Sequence, residues 1–190
     1  VAIVETNLIT IPSTIGALSQ LLKLDLRSNA IADLPKEISS LQNLYELRLG
    51  KNKISDVSVL NSNLRSLVRL DLSKNALTEL PSTSFSGIPN LVELYLDSNR
   101  LKMIPTWMFS QFKHLKFLSF HTNLLTTWPT MLDTSYSMKF LDLRYNNISW
   151  MPPQNGKFSL YKLNTIYFTG NPGCHDILTK LDVIDCQPEC

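Results

Sequence analysis

Apolar residues recur along this chain in one fixed order and not in long uninterrupted runs. The order is L-x-x-L-x-L-x-x-N-x-L-x-x-L-P, and the segment LLKLDLRSNAIADLP from Leu21 shows it in full. Its central L-x-L alternates with a period of two, which is typical of a β-strand with one buried face. Further copies begin at Leu44, Leu67, Leu91, Leu115, Met138 and Leu163. The pattern therefore predicts a series of short strands, one for each copy.

An asparagine ends the apolar alternation in every one of these copies. These residues are Asn29, Asn52, Asn75, Asn99, Asn123, Asn146 and Asn171. Their spacings are 23, 23, 24, 24, 23 and 25 residues, and Thr6 stands 23 residues before Asn29 in an incomplete first copy. A side-chain amide can donate to and accept from backbone groups of its own loop and of the adjacent repeat. We therefore predict eight copies, the first one partial, joined by an asparagine ladder inside the coil.

The segments that return the chain from one strand to the next are too short for long helices. Most copies end in a proline that steers this return, namely Pro12, Pro35, Pro81, Pro105, Pro129 and Pro152. Segments such as KEISSLQN carry apolar residues at helix-like offsets, so we expect one or two turns of α- or 3-10 helix. The third copy lacks the proline and runs SDVSVLNSNLRS, so its return segment should be the most irregular. No copy can bury its apolar face alone, which predicts stacking into one parallel sheet of about eight strands.

The repeated motif resembles the leucine-rich-repeat family, and the resemblance extends from the start of the chain to about Asn171. It implies an α/β solenoid, a horseshoe of about eight repeats with a parallel concave sheet and short helical, 3-10 or irregular convex arms. It also divides the chain into repeats at 1–171 and a C-terminal cysteine-containing cap at 172–190. A fold of this kind says little about function. The copies LPSTSFSGIPNL and IPTWMFSQFKHL resemble the 24-residue extracellular class, whereas LPKEISSLQNLYELRL resembles the 23-residue class of intracellular signalling scaffolds.

All three cysteines, Cys174, Cys186 and Cys190, lie in the last 17 positions of the chain. The segment Gly170-Asn171-Pro172-Gly173-Cys174 resembles a shortened form of the turn that opens the cap of extracellular leucine-rich-repeat proteins. The resemblance implies a disulfide cap, with a short amphipathic stretch from Asp176 to Leu181 lying across the last repeat. Three cysteines leave one that is free, bonded beyond Cys190 or part of an intermolecular disulfide. The alternatives are unpaired cytosolic thiols and a zinc site that adds His175, whose ligand spacing is poor, so no metal is expected.

The other end of the predicted solenoid is open. Val1 falls at the fourth motif position, so the first strand is cut, and Val1, Ile3, Leu8 and Ile11 would face this end. A solenoid end normally carries a polar cap. We therefore expect further repeats or a cap upstream, or assembly with another molecule through this end.

Composition and missing motifs exclude several classes of function. The chain is 44% hydrophobic and 18% charged with a net charge of +2, so neither disorder nor binding to nucleic acid is expected. It has no run of about 18 apolar residues that would span a membrane. His114 and His121 have no obvious nucleophile beside them, and no G-x-S-x-G, H-E-x-x-H or P-loop motif occurs. We therefore expect no enzyme activity and no cofactor.

The residues between the leucines point outward from the concave sheet and change character halfway along it. At the third motif position they are Lys23, Glu46, Arg69, Glu93, Phe117, Phe140 and Thr165, and at the fifth Asp25, Arg48, Asp71, Tyr95, Ser119, Asp142 and Tyr167. Signs alternate in the first half, which indicates ion pairs between neighbouring strands, the alternative being a charged binding site. The second half is aromatic, and outward aromatic and arginine side chains are typical of binding hot spots. The predicted ligand site is Tyr95, Phe117, His121, Phe140, Arg144, Tyr145 and Tyr167, the alternative being a self-packed ladder that only stiffens the sheet.

These features favour an extracellular recognition module that binds a protein or glycan on its concave face. Such a module would be part of a receptor, an adhesion protein or a secreted binder. The sequon Asn147-Ile148-Ser149 stands at an outward position that could accept a glycan, which agrees with a secreted protein. Two alternatives stay open, namely a cytoplasmic signalling scaffold and a structural repeat segment of a larger extracellular assembly or fibre.

Overall fold

The repeats form one parallel sheet whose strands follow the order of the chain. A computed structural model describes residues 1–61, 63–129, 137–150, 163–176 and 184–186. The sheet has eight strands in the order β1 to β8. They are β1 (Lys23–Asp25), β2 (Glu46–Arg48), β3 (Arg69–Asp71), β4 (Glu93–Tyr95), β5 (Phe117–Ser119), β6 (Phe140–Asp142), β7 (Thr165–Tyr167) and β8 (Ile184–Asp185). The predicted solenoid with a parallel sheet is confirmed.

Equivalent motif positions lie opposite each other in neighbouring strands. Leu24 is paired with Leu47, and Leu47 with Leu70. This register follows from the repeat, because a slip of one residue would turn every leucine to the solvent. Each outward side chain therefore has the corresponding side chain of the next copy as its direct neighbour. The side chains at the third motif position, and those at the fifth, therefore form two rows across the sheet.

The sheet has the predicted number of strands, but not all of them come from the segments that the repeat pattern predicts. The partial first copy adds only an isolated parallel bridge from Ala2 to Asp25, with the Ile3 N–H donating to the Asp25 carbonyl at 2.8 Å. The eighth strand is instead Ile184–Asp185, which pairs with β7. It carries no repeat motif, so the periodicity gave no sign of it.

The convex side consists of short helices and turns. Residues Ser13–Ala17, Lys36–Ser40 and Ser58–Asn61 form 3-10 helices, and Trp107–Gln111 forms α1. The prediction that the third copy has the most irregular return segment was wrong, because Val57 and Leu60 are buried and anchor a 3-10 helix there. The segment from 82 to 87 forms turns and no helix. Its Phe85 is fully buried, so packing of one large ring replaces helix formation.

The core is a stack of leucines lined on one side by the asparagines. In one copy, Asn99 Nδ2 donates to the carbonyls of Leu72 and Leu96, each at 3.0 Å, and Asn99 Oδ1 accepts from the Leu77 N–H at 3.0 Å. The first step of this ladder is Asn29, whose Oδ1 accepts from the N–H and hydroxyl of Thr6 at 3.1 and 3.0 Å. Each asparagine thus satisfies backbone groups of two copies at once.

The residue before each asparagine of the ladder, and before Thr6 in the first copy, has a left-handed backbone. Its φ is 52° to 59° in seven copies and 75° in the last, at Glu5, Ser28, Lys51, Lys74, Ser98, Thr122, Tyr145 and Gly170. Only the last of these is glycine, although side chains disfavour this conformation. The asparagine hydrogen bonds fix the turn and stabilise a conformation that most of these residues would otherwise avoid.

The two ends of the described solenoid differ. At the start, Val1 is 57% and Ile3 39% exposed, whereas Ile11, expected to face the open end, is only 7% exposed. After the last asparagine, Pro172–Asp176 forms a 3-10 helix, and a disulfide joins Cys174 to Cys186 with their Cα atoms 5.7 Å apart. Cys190, Pro152 and most of the predicted amphipathic stretch lie outside the described residues. None of the described helices is long and apolar enough to cross a membrane.

Candidate binding surface on the concave sheet

In the first half of the concave face, ion pairs converge on one carboxylate. Glu46 is 5% exposed and is the first residue of β2. Its carboxylate oxygens are 2.7 Å from Arg48, 3.4 Å from Arg69 and 3.4 Å from Lys23. Burial raises the pKa of Glu46, but hydrogen bonds and charges from Arg48 and Lys23 outweigh it and lower the pKa overall. The predicted pairing between neighbouring strands is therefore present at this position.

Arg69 carries the network onward to the aromatic half. Its guanidinium contacts both carboxylate oxygens of Glu93, at 2.7 and 2.9 Å, while also facing Glu46. The Tyr95 hydroxyl donates to Oε2 of the same carboxylate at 2.9 Å. Burial and the Glu93 carboxylate raise the pKa of Tyr95 to about 12, so the phenol stays a donor. The charged half thus holds the first aromatic side chain in place.

The aromatic half begins with rings stacked across adjacent strands. The rings of Tyr95 and Phe117 have centroids 5.0 Å apart and are tilted by 36°. Phe117 lies directly opposite Phe140 in the register of β5 and β6. All three side chains are half-buried. Tyr95 and Phe117 cover each other in part, and all three side chains keep some exposed surface. Self-packing is therefore present between two of the rings, and ligand binding stays a prediction.

The remaining members of the predicted site form two further contacts. The His121 and Tyr145 rings meet edge to face with centroids 5.2 Å apart, and Tyr145 is 47% exposed. Arg144 binds the Asp142 carboxylate at 2.6 Å, and its guanidinium carbon lies 5.1 Å from the Tyr167 ring centroid. The seven predicted residues lie on or directly after strands β4 to β7, and these contacts join them in small groups. We call them the aromatic patch.

One residue of this face was not singled out from the sequence. Asp97 stands at the seventh motif position, two residues after Tyr95, and accepts hydrogen bonds from the Ser119 hydroxyl and from the His121 N–H. The signal lies at the seventh motif position, outside the third and fifth positions that form the two rows. A comparison at the seventh position gives Arg27, Gly50, Ser73, Asp97, His121, Arg144 and Thr169. Asp97 is the only acidic residue among these seven.

The other predicted sites lie away from this face. Asn147 is exposed and follows the ladder residue Asn146, with its backbone N–H bound to the Leu125 carbonyl at 2.8 Å. Its side chain is therefore accessible to a modifying enzyme, and glycosylation stays a prediction. Within the described residues, no group of three or more histidine, cysteine, aspartate and glutamate side chains could hold a metal ion.

Sequence profiles identify the family of this chain. The profile described as leucine rich repeat matches residues 42–101 and 89–148, and a second profile for two copies of the repeat matches residues 19–62. The chain belongs to the leucine-rich-repeat family. Members of this family typically act as binding modules without enzymatic activity. No curated protein sequence matches the chain.

Solved structures are similar to the chain over most of its length. Internalin C2 of Listeria monocytogenes is 28% identical with a TM-score of 0.78, covering 98% of this chain and 79% of that one. TLR13, in a complex with ssRNA13, is 31% identical with a TM-score of 0.76, covering 86% of this chain and 24% of that one. A leucine-rich-repeat protein of Leptospira interrogans is 24% identical with a TM-score of 0.61, covering 90% of this chain and 55% of that one, and supports the fold alone. The chain therefore spans about a quarter of the length of TLR13.

Proposed function

We propose that this chain is a recognition module that binds a protein ligand through the aromatic patch of its concave face. The observation that carries the proposal is a group of half-buried rings on three neighbouring strands, in which Phe117 and Phe140 are in register and Tyr95 stacks on Phe117. Rings held by their neighbours lose little conformational entropy on binding, so their contact area converts into affinity. The leucine-rich-repeat fold supports an interaction module in general.

The aromatic half supports this role better than the charged half. In the charged half, Glu46 and Arg69 already form ion pairs with each other and with neighbouring charged side chains. A ligand that binds there would have to replace these ion pairs. In the aromatic half, the exposed ring surfaces are uncharged, so a ligand can cover them without breaking an ion pair. Burial of one phenylalanine side chain contributes about 1.5–3 kcal/mol. Two such rings contribute about 3–6 kcal/mol together, so micromolar affinity, at about 8 kcal/mol, also needs contacts with other residues of the patch.

An extracellular or cell-surface protein agrees best with the whole set of features. The Cys174–Cys186 disulfide favours an oxidising compartment, and the exposed sequon at Asn147 is accessible. Internalin C2 and TLR13 are the similar structures that point in the same direction. The alternatives are a cytoplasmic scaffold and a structural segment of a larger assembly. Mass analysis with and without reduction distinguishes a cytoplasmic scaffold from a secreted protein, because three free thiols in the native protein would contradict secretion.

Selection of ligands from a random peptide library displayed on phage tests the proposal. Peptides recovered on the folded chain should bind Phe117→Ala and Phe140→Ala at least about tenfold more weakly, since each variant loses ring contact area. The matched control is Tyr45→Ala, which removes an aromatic side chain that is 49% exposed and lies outside the patch. Equal affinity of all three variants and the parent would contradict the proposal.

The same variants distinguish the other ligand classes. A glycan array and a single-stranded RNA of mixed sequence are tested beside the peptides. Binding to glycans that depends on Phe117 and Phe140 would assign the patch to carbohydrate instead of protein. Binding to RNA would contradict the expectation, drawn from the near-neutral net charge of +2, that nucleic acid is not the ligand.

A further inference from the structure

Asp97 is a concave carboxylate with an open side. Both hydrogen bonds that it accepts, from the Ser119 hydroxyl and from the His121 N–H at 3.1 Å, end on Oδ1. No hydrogen bond from a described residue reaches Oδ2, and Oδ2 is not among the buried polar atoms that lack a partner. Among the described residues, no lysine, arginine or histidine forms a salt bridge with Asp97.

Most other acidic residues of this face have a cation. Asp25 pairs with Arg27 at 2.7 Å, and Asp142 pairs with Arg144 at 2.6 Å. Burial raises the pKa of Asp97 above its usual range, although the Ser119 hydroxyl and the His121 N–H work against this shift. The Asp142 carboxylate raises it further. The fold therefore keeps a carboxylate without a compensating cation at this position. Such a group lowers the stability of the folded chain, and a role in binding would explain why it is present.

Two members of the aromatic patch lie next to this carboxylate. Tyr95 precedes it by two positions on the same face, with its ring stacked on Phe117 at 5.0 Å and its hydroxyl on Glu93. On the adjacent copy, His121 donates its backbone N–H to Asp97, and the His121 ring contacts Tyr145 at 5.2 Å. A carboxylate with an open oxygen inside a proposed binding face has the chemistry that recognises a cationic side chain, through a charge-assisted hydrogen bond.

We propose that Asp97, next to Tyr95 and His121 of the aromatic patch, binds an arginine or lysine side chain of the ligand. The inference rests on the proposed function and narrows it to protein ligands that carry an exposed basic residue. The same face already holds one guanidinium on a carboxylate, that of Arg144 on Asp142 at 2.6 Å. A ligand arginine would complete the charge balance of Asp97 in the same way.

A matched pair of variants tests the subsite. Asp97→Asn keeps an acceptor for Ser119 and His121 and removes the charge. The control is Asp71→Asn, because Asp71 also accepts from a serine hydroxyl and a backbone N–H, those of Ser73 at 2.6 and 2.9 Å, in the charged half. Peptides selected on the parent chain are expected to contain arginine or lysine. Replacing that arginine by its neutral isostere citrulline should weaken binding at least about tenfold, as should Asp97→Asn.

A double-mutant cycle makes the test decisive. If Asp97 holds the peptide cation, the citrulline peptide should bind the parent chain and Asp97→Asn nearly equally, because the second change removes nothing more. Asp71→Asn should leave both peptides unaffected. Additive losses, or Phe117-dependent peptides without a basic residue, would overturn the subsite and leave the proposed function standing. A selection without any Phe117-dependent peptide would contradict both.

Discussion

The Tyr145 ring occupies the space beside Gly170 that a side chain there would need. A Cβ atom at position 170 would lie 2.5 Å from Cδ1 of Tyr145 and 3.0 Å from Cε1. Gly170 also has a φ of +75°, whereas the same position holds a side chain in the seven earlier copies. The last repeat therefore gives up its own side chain, and a ring of the aromatic patch lies across its backbone.

We predict that Gly170→Ala destabilises the chain by about 1–3 kcal/mol, from the ring contact and the left-handed backbone together. Urea unfolding followed by circular dichroism measures this loss. In a Tyr145→Ala background the same substitution should lower the free energy of unfolding by less, because only the strain of the left-handed backbone remains. An equal cost in both backgrounds would show that the ring contact contributes nothing.

The asparagine ladder should be weakest at its exposed end. Asn99→Ala removes hydrogen bonds to buried carbonyls of Leu72 and Leu96 and leaves the Leu77 N–H unsatisfied, at a cost of about 2–4 kcal/mol. Asn29→Ala should cost less, since Asn29 is only half-buried and water can replace its bonds to Thr6. Denaturant midpoints of the two variants check the order. A larger loss for Asn29→Ala would contradict this explanation.

The ion pairs around Glu46 should make stability depend on pH in the acid range. The folded pKa of Glu46 lies below 4.5, its value in the unfolded chain, and that of Glu93 is lowered in the same way. Their stabilisation is therefore complete above pH 4.5 and is lost as the pH falls through the folded values. We predict that Glu46→Gln lowers the free energy of unfolding at pH 7 by about 1–3 kcal/mol. The loss should shrink as the pH falls below 4, and a loss that is constant with pH would contradict the prediction.

Asp97 should act on stability with the opposite sign. Its folded pKa lies above 3.8, so its ionised form opposes folding at pH values above the folded pKa, and the penalty vanishes below 3.8. Asp142, His121 and Tyr95 are the titratable groups that interact with it. We therefore expect Asp97→Asn to melt at a higher temperature than the parent at pH 7 and to converge with it toward pH 3.5. Calorimetry at both pH values checks this, and a lower melting temperature at pH 7 would refute it.

The repeat made the concave face predictable from the sequence. Because strand residues such as Phe117 and Phe140 occupy equal motif positions, their neighbourhood across β5 and β6 followed from the spacing alone. The internal pairing of the charged half followed for the same reason, since Glu46 lies between residues of opposite sign. A periodic sequence produces contacts with the same period, and these contacts between neighbouring strands are the ones that the sequence predicts.

Contacts that break the period were not predictable. The strand Ile184–Asp185 has no motif and forms only because β7 offers a free edge. The helix at Ser58–Asn61 forms without the proline that marks the other copies, since burial of Leu60 suffices. The open side of Asp97 depends on which oxygen Ser119 and His121 bind, a detail that only coordinates show.

Photo-crosslinking tests the central claim most directly, namely that a partner lies over the aromatic half of the concave sheet. A selected peptide carrying a benzophenone group is bound to the chain, irradiated, and the crosslinked residues are identified by mass spectrometry. We predict crosslinks at residues 93–97, 117–121 and 140–145, and their loss in Phe117→Ala. Crosslinks confined to the convex helices at Ser13–Ala17, Lys36–Ser40 or Trp107–Gln111 would contradict the account.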